Sequence, residues 1–126
     1  MNDDGTLGLL NSQFHNGKIE TQNGTATCVG AKCEISINKN KGDLRVVATD
    51  YENYAAVYSC SKVGPLKAAY VWILGRQQNI TQEHRQEAIK YVRERITDYD
   101  VDNNLYYTYQ GDKCQYVFQT PALFLN

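Results

Sequence analysis

Residues 48–60, ATDYENYAAVYSC, place a polar turn between two apolar runs. The turn, Thr-Asp-Tyr-Glu-Asn, is rich in residue types that reverse the chain, and the runs at 44–49 and 54–60 have the length of strands. A turn aspartate commonly accepts hydrogen bonds from nearby backbone amides, so Asp50 is expected to have a structural role and not a catalytic one. The stretch predicts two antiparallel strands joined by a turn that Asp50 organises.

Further strand-length runs lie on both sides of this pair. Breaks at 15–18 and 38–43 contain the Asn, Gly and Asp residues that hairpin turns use. Within 33–37, apolar and polar residues alternate, so one face of that strand is apolar. With the central pair, the chain predicts six meandering antiparallel strands, the other four being residues 7–14, 19–28, 33–37 and 68–74.

The hydrophobic period changes after Gly75-Arg76. Residues 81–97 have charged side chains around most of the helix, and Asn79 or Thr81 is placed to accept from its first-turn amides. The apolar positions recur at helical spacing and predict one amphipathic helix; they are Ala88, Ile89, Val92 and Ile96. Residues 105–109, Leu-Tyr-Tyr-Thr-Tyr, predict a short final strand.

This order of elements indicates the fold class. A doubly wound fold would alternate helices with strands, and an immunoglobulin-type sandwich seldom ends with a four-turn helix. The expected fold is therefore all-β: an antiparallel up-and-down barrel, complete or incomplete, with one C-terminal amphipathic α-helix. Residues 1–126 are expected to form a single domain.

Composition excludes several partners. The 126 residues carry 13 Lys plus Arg and 14 Asp plus Glu, with both signs interspersed and a formal net charge of -1. No nucleic-acid partner is expected from such a surface. No apolar run approaches the roughly 20 residues that span a bilayer, so no stable membrane insertion is expected. Residues 1–5 do not resemble a signal peptide.

The four cysteines, Cys28, Cys33, Cys60 and Cys114, lack paired C-x-x-C spacing and adjacent histidines, so we predict no zinc site. They allow three pairings. Cys28 with Cys33 is the sequence-local pairing and the one we predict, which leaves Cys60 and Cys114 free or joined to each other. Cysteines in a small chain indicate an oxidising compartment, as do the glycosylation candidates Asn23 and Asn79.

Two other features suggest a metal site only weakly. Asp98, Asp100 and Asp102 have the spacing of a calcium loop, but the central glycine is absent and Tyr109 stands where the bidentate glutamate belongs. The segment is predicted to be a solvated turn. The two histidines share no ligand spacing, so no metal is predicted.

Two sequence motifs of the chain resemble those of a known family. Residues 48–55 with 57–60 resemble the second sequence motif of lipocalins, and residues 72–76, Trp-Ile-Leu-Gly-Arg, resemble the third. The spacing and the following helix are also similar, and within the family the chain is similar to the apolipoprotein D and insect bilin-binding branch. In that branch the cysteine that matches Cys60 bonds to one ahead of the first strand, and the cysteine that matches Cys114 bonds to one in the second strand. Neither of these partner segments has a match here.

The resemblance runs from the third strand of a lipocalin to the C-terminus. Nothing matches the Gly-x-Trp strand that opens the family, which implies a barrel truncated by its first two strands and exposing two strand edges. The resemblance also implies that Thr49, Asp50 and Tyr51 form the closed end, with Asp50 accepting from loop amides and the Arg76 region. In the family, the arginine that Arg76 resembles lies across the tryptophan of the Gly-x-Trp strand. Nothing here matches that strand, so a solvated arginine is the alternative.

The family register implies a ligand-binding interior. Trp72 faces inward by resemblance, and Tyr70 and Leu74 share its face because strand side chains repeat with period two. An interior filled by its own side chains is the alternative, although Asn11, Gln13 and Ser59 would be costly there without a ligand or water to bond. The ligand-binding candidates are Leu7, Leu9, Asn11, Gln13, Ile35, Ile37, Leu44, Val46, Val57, Ser59, Tyr70, Trp72 and Leu74.

The resemblance implies a binding and transport protein, extracellular in its intact form, for a lipid, fatty acid, sterol, retinoid or bilin pigment. No cofactor is expected beyond such a bound lipid or bilin chromophore. The alternative is a truncated lipocalin that does not enclose a ligand and acts as a homo-oligomer through exposed strand edges. An enzyme ranks last, because the catalytic cysteine of the lipocalin-like isomerase lies on a strand with no match here.

Overall fold

The computed structural model describes residues 5–116 and 123–126. Its strands form one antiparallel sheet in sequence order. The strands are β1 (Leu7–His15), β2 (Lys18–Val29), β3 (Lys32–Ile37), β4 (Asn40–Thr49), β5 (Tyr54–Val63), β6 (Leu66–Gly75) and β7 (Phe124–Leu125), and the helices are α1 (Gln82–Arg95) and α2 (Val101–Asn104). The predicted six-strand meander followed by a helix is confirmed.

Tight turns join the early strands. Asn16 and Gly17, between β1 and β2, have φ of 52° and 75°, and Asn38 and Lys39, between β3 and β4, have φ of 50° and 67°. Two consecutive residues with positive φ give the backbone twist that joins neighbouring strands directly. The expectation of hairpins at these breaks is confirmed.

The helix begins where its cap was predicted. Thr81 Oγ1 accepts a hydrogen bond from His84 N at 3.2 Å, which satisfies one of the free amides of the first turn. Ala88 and Val92 are fully buried beneath α1 against the fully buried Ala56 and Ile73. The main core therefore lies between α1 and one face of the sheet.

The opposite face of the sheet, called the inner face here, is the one that α1 does not cover. Along β5, Tyr54 and Ala56 face the helix, so Val57 between the latter and Tyr58 faces away from it. Val57 is nevertheless only 4% exposed, and Ala26 on the same face is 5% exposed. Such burial without a covering helix means that the sheet curls over its inner face, giving an open half-barrel.

The predicted strand at 105–109 is wrong. Leu105 packs against the core, while Tyr106, Tyr107 and Tyr109 are exposed in non-strand backbone. Tyr107 lies beside α1 and donates from its hydroxyl to Gln82 Oε1 at 2.8 Å. Aromatic residues form a strand only where a sheet edge is available, and this segment has a helix for its neighbour.

The acidic segment at 98–102 is also more ordered than a solvated turn. Residues 101–104 form α2, whose N-terminus is capped by Asp100 accepting from Asn103 N at 3.4 Å. Asp98 binds Lys67 Nζ at 2.6 Å, and Asp102 binds Arg93 Nη2 at 2.6 Å. Each acid is thus matched to a protein donor.

Candidate functional site

The strand register brings the predicted ligand-binding residues to the inner face. Val46 is the partner of Val57, and Val57 is the partner of Trp72, so one line of apolar side chains crosses β4, β5 and β6. Directly paired residues in an antiparallel sheet point to the same face. By the same pairing and alternation, the inner face carries Leu7, Leu9, Asn11, Gln13, Ile35, Ile37, Leu44, Val46, Val57, Ser59, Tyr70, Trp72 and Leu74.

The β6 end of the inner face is aromatic. The rings of Tyr70 and Trp72 are stacked, with their centroids 5.8 Å apart and an interplanar angle of 13°. Trp72 is half-buried, whereas Tyr70 is 52% exposed. The pair offers a flat aromatic surface beside the aliphatic residues of β4 and β5.

The polar residues of this face behave differently from the expectation that a ligand or water must bond them. Gln13 is exposed and donates from Nε2 to Glu20 Oε2 at 2.7 Å. Ser59 donates from Oγ to the carbonyl of Asp43 at 2.6 Å. Asn11 is exposed, so its amide carries no burial cost. The expectation is wrong for these three residues, and the polar groups do not by themselves demand a ligand.

The closed-end turn is built by its own side chains. Thr49 Oγ1 donates to the carbonyl of Tyr54 at 2.7 Å and accepts from Tyr51 N at 2.9 Å. Asp50 Oδ1 accepts from the backbone amides of Glu52, Asn53 and Tyr54 at 3.1, 2.7 and 3.0 Å. Its Oδ2 accepts from Asn53 Nδ2 at 2.7 Å. The interpretation of Asp50 as an acceptor for loop amides matches this geometry.

These contacts set the charge state of Asp50. Partial burial raises the pKa of the carboxyl, but the hydrogen bonds from the side chain of Asn53 and from the amides of Asn53, Tyr54 and Glu52 outweigh it. Together they hold the pKa of Asp50 well below its usual range. The Asp50 carboxylate therefore stays ionised, and both of its oxygens already accept hydrogen bonds from the turn. It is unsuited to acid–base chemistry.

Arg76 links the end of β6 to this turn. Its Nε donates to the carbonyl of Tyr51 at 2.9 Å, and its backbone N donates to the carbonyl of Asn53 at 3.1 Å. The side chain is exposed. Arg76 thus binds the turn through Tyr51 and not through the Asp50 carboxylate, and of the two interpretations the exposed arginine fits better.

The predicted disulfide between Cys28 and Cys33 is present and joins paired positions of β2 and β3. Cys60 and Cys114 are free thiols. Asn23 and Asn79 are exposed, and Asn79 Nδ2 donates to the carbonyl of Gln110 at 3.3 Å, so glycosylation of Asn79 would displace that contact. Glycosylation of both stays a prediction.

Within residues 5–116 and 123–126 no group of three His, Cys, Asp or Glu side chains is arranged to hold a metal ion. Over the same residues, no helix has both the length and the apolar character that crossing a membrane requires.

Two of the open clefts formed by the described residues border the inner face. The larger, about 440 Å³, follows β6 and is lined by Lys67, Ala69, Tyr70, Val71, Trp72, Asp98, Tyr99, Asp100 and Asn104. The smaller, about 190 Å³, lies where β4 and β5 separate beyond Arg45 and Tyr58. Tyr70, Trp72 and Ser59 were predicted from the sequence to bind a ligand, whereas the charged residues beside them were not. The signal for those residues was Lys67, the one charged residue of β6.

One residue of the core was also missed. Arg85 is one of the charged residues of the predicted helix at 81–97, which were expected to surround its apolar stripe, yet it is only 5% exposed. Its guanidinium carbon lies 3.5 Å from the centroid of the Tyr107 ring, and Nη1 has no hydrogen-bond partner among the described residues. The ring replaces water on one face of the cation.

The sequence is similar to that of apolipoprotein D from several mammals. Apolipoprotein D of Cavia porcellus is 40% identical over 58 residues, covering 45% of this chain and 29% of that protein. Apolipoprotein D of Macaca fascicularis is 29% identical over 110 residues, covering 81% of this chain and 56% of that protein. The chain therefore spans only part of the length of these relatives.

Solved structures show the same fold. Lobster apocrustacyanin A1 superposes with a TM-score of 0.75 at 19% identity, over 90% of this chain and 65% of that one. Apocrustacyanin C1 gives a TM-score of 0.76 at 20% identity with the same coverage. The model of the lipocalin / cytosolic fatty-acid binding protein family matches residues 1–119. The chain therefore belongs to this family, whose members bind small hydrophobic molecules.

Proposed function

We propose that this chain binds a small hydrophobic molecule, without a covalent bond, on the inner face of its half-barrel. The observation that supports the proposal is the line of Val46, Val57 and Trp72 across three strands, on the face that α1 leaves uncovered. An apolar, curled surface with few polar groups is the usual form of a small-molecule site. As a lipocalin the chain acts by binding and is not an enzyme.

The ligand class follows from the chemistry of the surface. Aliphatic side chains on β3 to β5 suit any lipid, sterol or fatty acid, whereas the parallel rings of Tyr70 and Trp72 suit a flat conjugated system. We therefore favour a retinoid or bilin type of ligand over a saturated chain. Ser59 and Gln13 already bond to Asp43 and Glu20, so affinity would come from apolar area.

The size of that contribution is modest. Burying about 300 Å² of apolar ligand surface at ~25 cal/mol/Å² yields roughly 7 kcal/mol before the costs of association. After those costs, binding is expected at about micromolar or weaker dissociation constants. The proposed role is reversible carriage of the ligand and not permanent retention.

The compartment is part of the proposal. The Cys28–Cys33 disulfide supports an oxidising environment, and such bridges persist mainly outside the cytosol. We propose that the chain works as an extracellular protein.

Ligand binding is testable through the single tryptophan, Trp72. Titrating the purified chain with retinol, biliverdin, cholesterol and palmitate is expected to quench or shift Trp72 emission, with saturation and with the largest effect for the conjugated ligands. Flat emission across the whole panel would contradict the proposal.

A matched pair of isoleucines supplies the control. Ile37 is half-buried on the inner face, and Ile19 is 39% exposed on the opposite face of the sheet. Ile37→Ser is expected to weaken binding several-fold, and Ile19→Ser to leave it unchanged, with thermal unfolding of both variants measured in parallel. Equal losses of affinity at equal stability would place the ligand elsewhere.

A further inference from the structure

Three hairpin turns lie together at one end of the half-barrel. They are residues 15–18 between β1 and β2, 38–41 between β3 and β4, and 64–66 between β5 and β6. Strand directions alternate, so these turns share one end of the sheet and the Asp50 turn lies at the other. Successive hairpins are two strand spacings, or about 10 Å, apart. The three turns form one surface, called the open rim here.

The open rim is basic. It contains Lys18, Lys39 and Lys41 and no acidic residue. Lys18 and Lys39 are exposed, and within residues 5–116 and 123–126 neither has an ion-pair partner. Lys41 Nζ lies 3.8 Å from Glu34 Oε1, but these side chains are 73% and 63% exposed, so the pair is weak. The rim therefore presents three accessible positive charges.

The fold sorts charges that are mixed along the sequence. At the other end of the sheet, two cations and two acids balance one another; they are Lys32, Arg76, Asp50 and Glu52. The molecule thus has one basic end and one balanced end. Such an arrangement turns the basic end toward an anionic surface on approach.

The carboxylates closest to the open rim along its strands lie behind the lysines. Glu20 on β2 and Asp43 on β4 are each two residues beyond the rim lysine of the same strand, which is about 7 Å. Glu20 also accepts from Gln13 at 2.7 Å. Charges are screened over about 8 Å at physiological salt. A flat surface that touches the rim therefore meets the lysines first.

Lys39 occupies a backbone position that favours glycine. Asn38 and Lys39 have φ of 50° and 67°, and the matching turn between β1 and β2 has Asn16 and Gly17 at 52° and 75°. Glycine adopts this conformation without strain, whereas a residue with a side chain does not. Strain of this kind is typical of residues with a function. The position of Lys39 thus points to a use for its charge.

The third turn adds apolar surface to the open rim. Leu66 is 72% exposed, and Pro65 beside it is also exposed. Lys67 binds Asp98 at 2.6 Å, so this pair adds no net charge. Lysines beside an exposed apolar side chain match the headgroup and acyl boundary of an anionic bilayer. A hydrated polyanion such as an acidic polysaccharide would leave Leu66 in water.

We propose that the open rim docks this chain reversibly on the surface of an anionic lipid membrane. Lys18, Lys39 and Lys41 contact the headgroups, and Leu66 enters the boundary with the acyl chains. Docking in this orientation turns the open end of the inner face toward the bilayer. Membrane docking is independent of the proposed ligand, whereas passage of a ligand from the bilayer to the inner face rests on the proposed function.

The first test is flotation of the ligand-free chain with vesicles of phosphatidylcholine, with or without phosphatidylserine, at low and high salt. We expect binding only to the vesicles with phosphatidylserine, and its loss at high salt. Equal binding to both vesicles, or none to either, would overturn the proposal. Binding to immobilised heparin without binding to vesicles would also overturn it, in favour of an acidic polysaccharide. No hydrophobic ligand is added, so the outcome is separate from the Trp72 titration.

A matched pair of charge changes locates the contact. Lys39→Gln and Lys32→Gln remove the same charge from opposite ends of the sheet, and both lysines are exposed. Lys39→Gln is expected to weaken binding to the anionic vesicles about fivefold, and Lys32→Gln to change it little. Equal losses would overturn the proposal, because net charge and not the open rim would then govern binding.

Lys39→Gly separates docking from folding. Relief of the positive φ is expected to leave thermal stability equal or higher, while vesicle affinity falls as much as in Lys39→Gln. Leu66→Ser is expected to weaken vesicle binding as well, with unchanged circular dichroism. Unchanged vesicle affinity in Lys39→Gly would overturn the proposal.

A fluorescent reporter tests the orientation on the membrane. In a Cys60→Ser, Cys114→Ser background, Asn40→Cys and Glu52→Cys carry an environment-sensitive dye at exposed positions of the two ends. Anionic vesicles are expected to shift the emission to the blue at Asn40→Cys and to leave it unchanged at Glu52→Cys. No shift at Asn40→Cys, or an equal shift at Glu52→Cys, would overturn the proposal.

Discussion

Asp50 shows how one side chain sets the shape of a turn. Its two oxygens accept from three backbone amides and one side-chain amide, while Thr49 both donates and accepts across the same turn. Tyr51, at the tip, has a φ of 66° and is 80% exposed. A non-glycine residue adopts this conformation only where its surroundings hold it there, and here the bonds to Thr49 and Asp50 do so.

We predict that Asp50→Ala destabilises the fold by about 2 kcal/mol, because several amides lose a charged acceptor in a partly buried turn. Urea unfolding followed by circular dichroism measures this loss. Asp112→Ala, at an exposed loop position, is the control and is expected to change stability little. Equal stability of the two variants would contradict the role given to Asp50.

The same contacts predict a pH dependence. The pKa of Asp50 is lower in the folded chain than the value of about 3.9 in an unfolded chain, so its stabilising effect is present above that pH. The effect is lost as the pH falls below that value, since the folded chain then takes up protons less readily than the unfolded one. On acidification from neutral pH, the free energy of unfolding should therefore fall less for Asp50→Ala than for the parent chain.

The helix and the strands beneath it are held by a small apolar interface. Val92 and Ala88 of α1 are fully buried against Ala56 of β5 and Ile73 of β6. At the end of α1, Arg95 Nη1 donates to the carbonyl of Val47, the extra residue where the pairing of β4 with β5 shifts register. Because Val47 is the bulged residue, its carbonyl has no partner in regular strand pairing, and the Arg95 side chain at the end of α1 binds it.

Val92→Ala should lower the free energy of unfolding by about 2 kcal/mol, from lost burial together with the cavity left behind. Lys90→Ala, an exposed change in the same helix, serves as the control and should have little effect. Both are measured by denaturant unfolding. If both changes had equally small effects, α1 would not depend on this interface.

Features that depend on residues near one another in the chain are predictable from the sequence, whereas features that depend on distant residues are not. The hairpins, the Thr81 cap and the Cys28–Cys33 bridge depend on residues near one another in the chain, and the sequence predicts them. The expected strand at 105–109 fails because its neighbour is α1 and not a sheet edge, which no local pattern reveals. The burial of Arg85 depends on Tyr107, 22 positions away in the numbering.

The strand register brings the predicted ligand-binding side chains to one face, as alternation along each strand and the family register implied, and their contact with a ligand stays a prediction. The bonding of the polar residues of this face was not predicted, because Ser59 bonds to Asp43 and Gln13 to Glu20 on neighbouring strands. Among residues 5–116 and 123–126, strand pairing leaves β1 and most of β6 as the two edges of the half-barrel.

The most direct test of the binding proposal is methyl and amide NMR of the labelled chain during titration with a conjugated ligand such as retinol. We expect saturable shift changes at Leu9, Ile35, Val46, Val57 and the Trp72 indole, which share the inner face, and little change at Val92 and Ile73 beneath α1. Changes confined to α1 and its underlying core, or none at saturating ligand, would contradict the proposal.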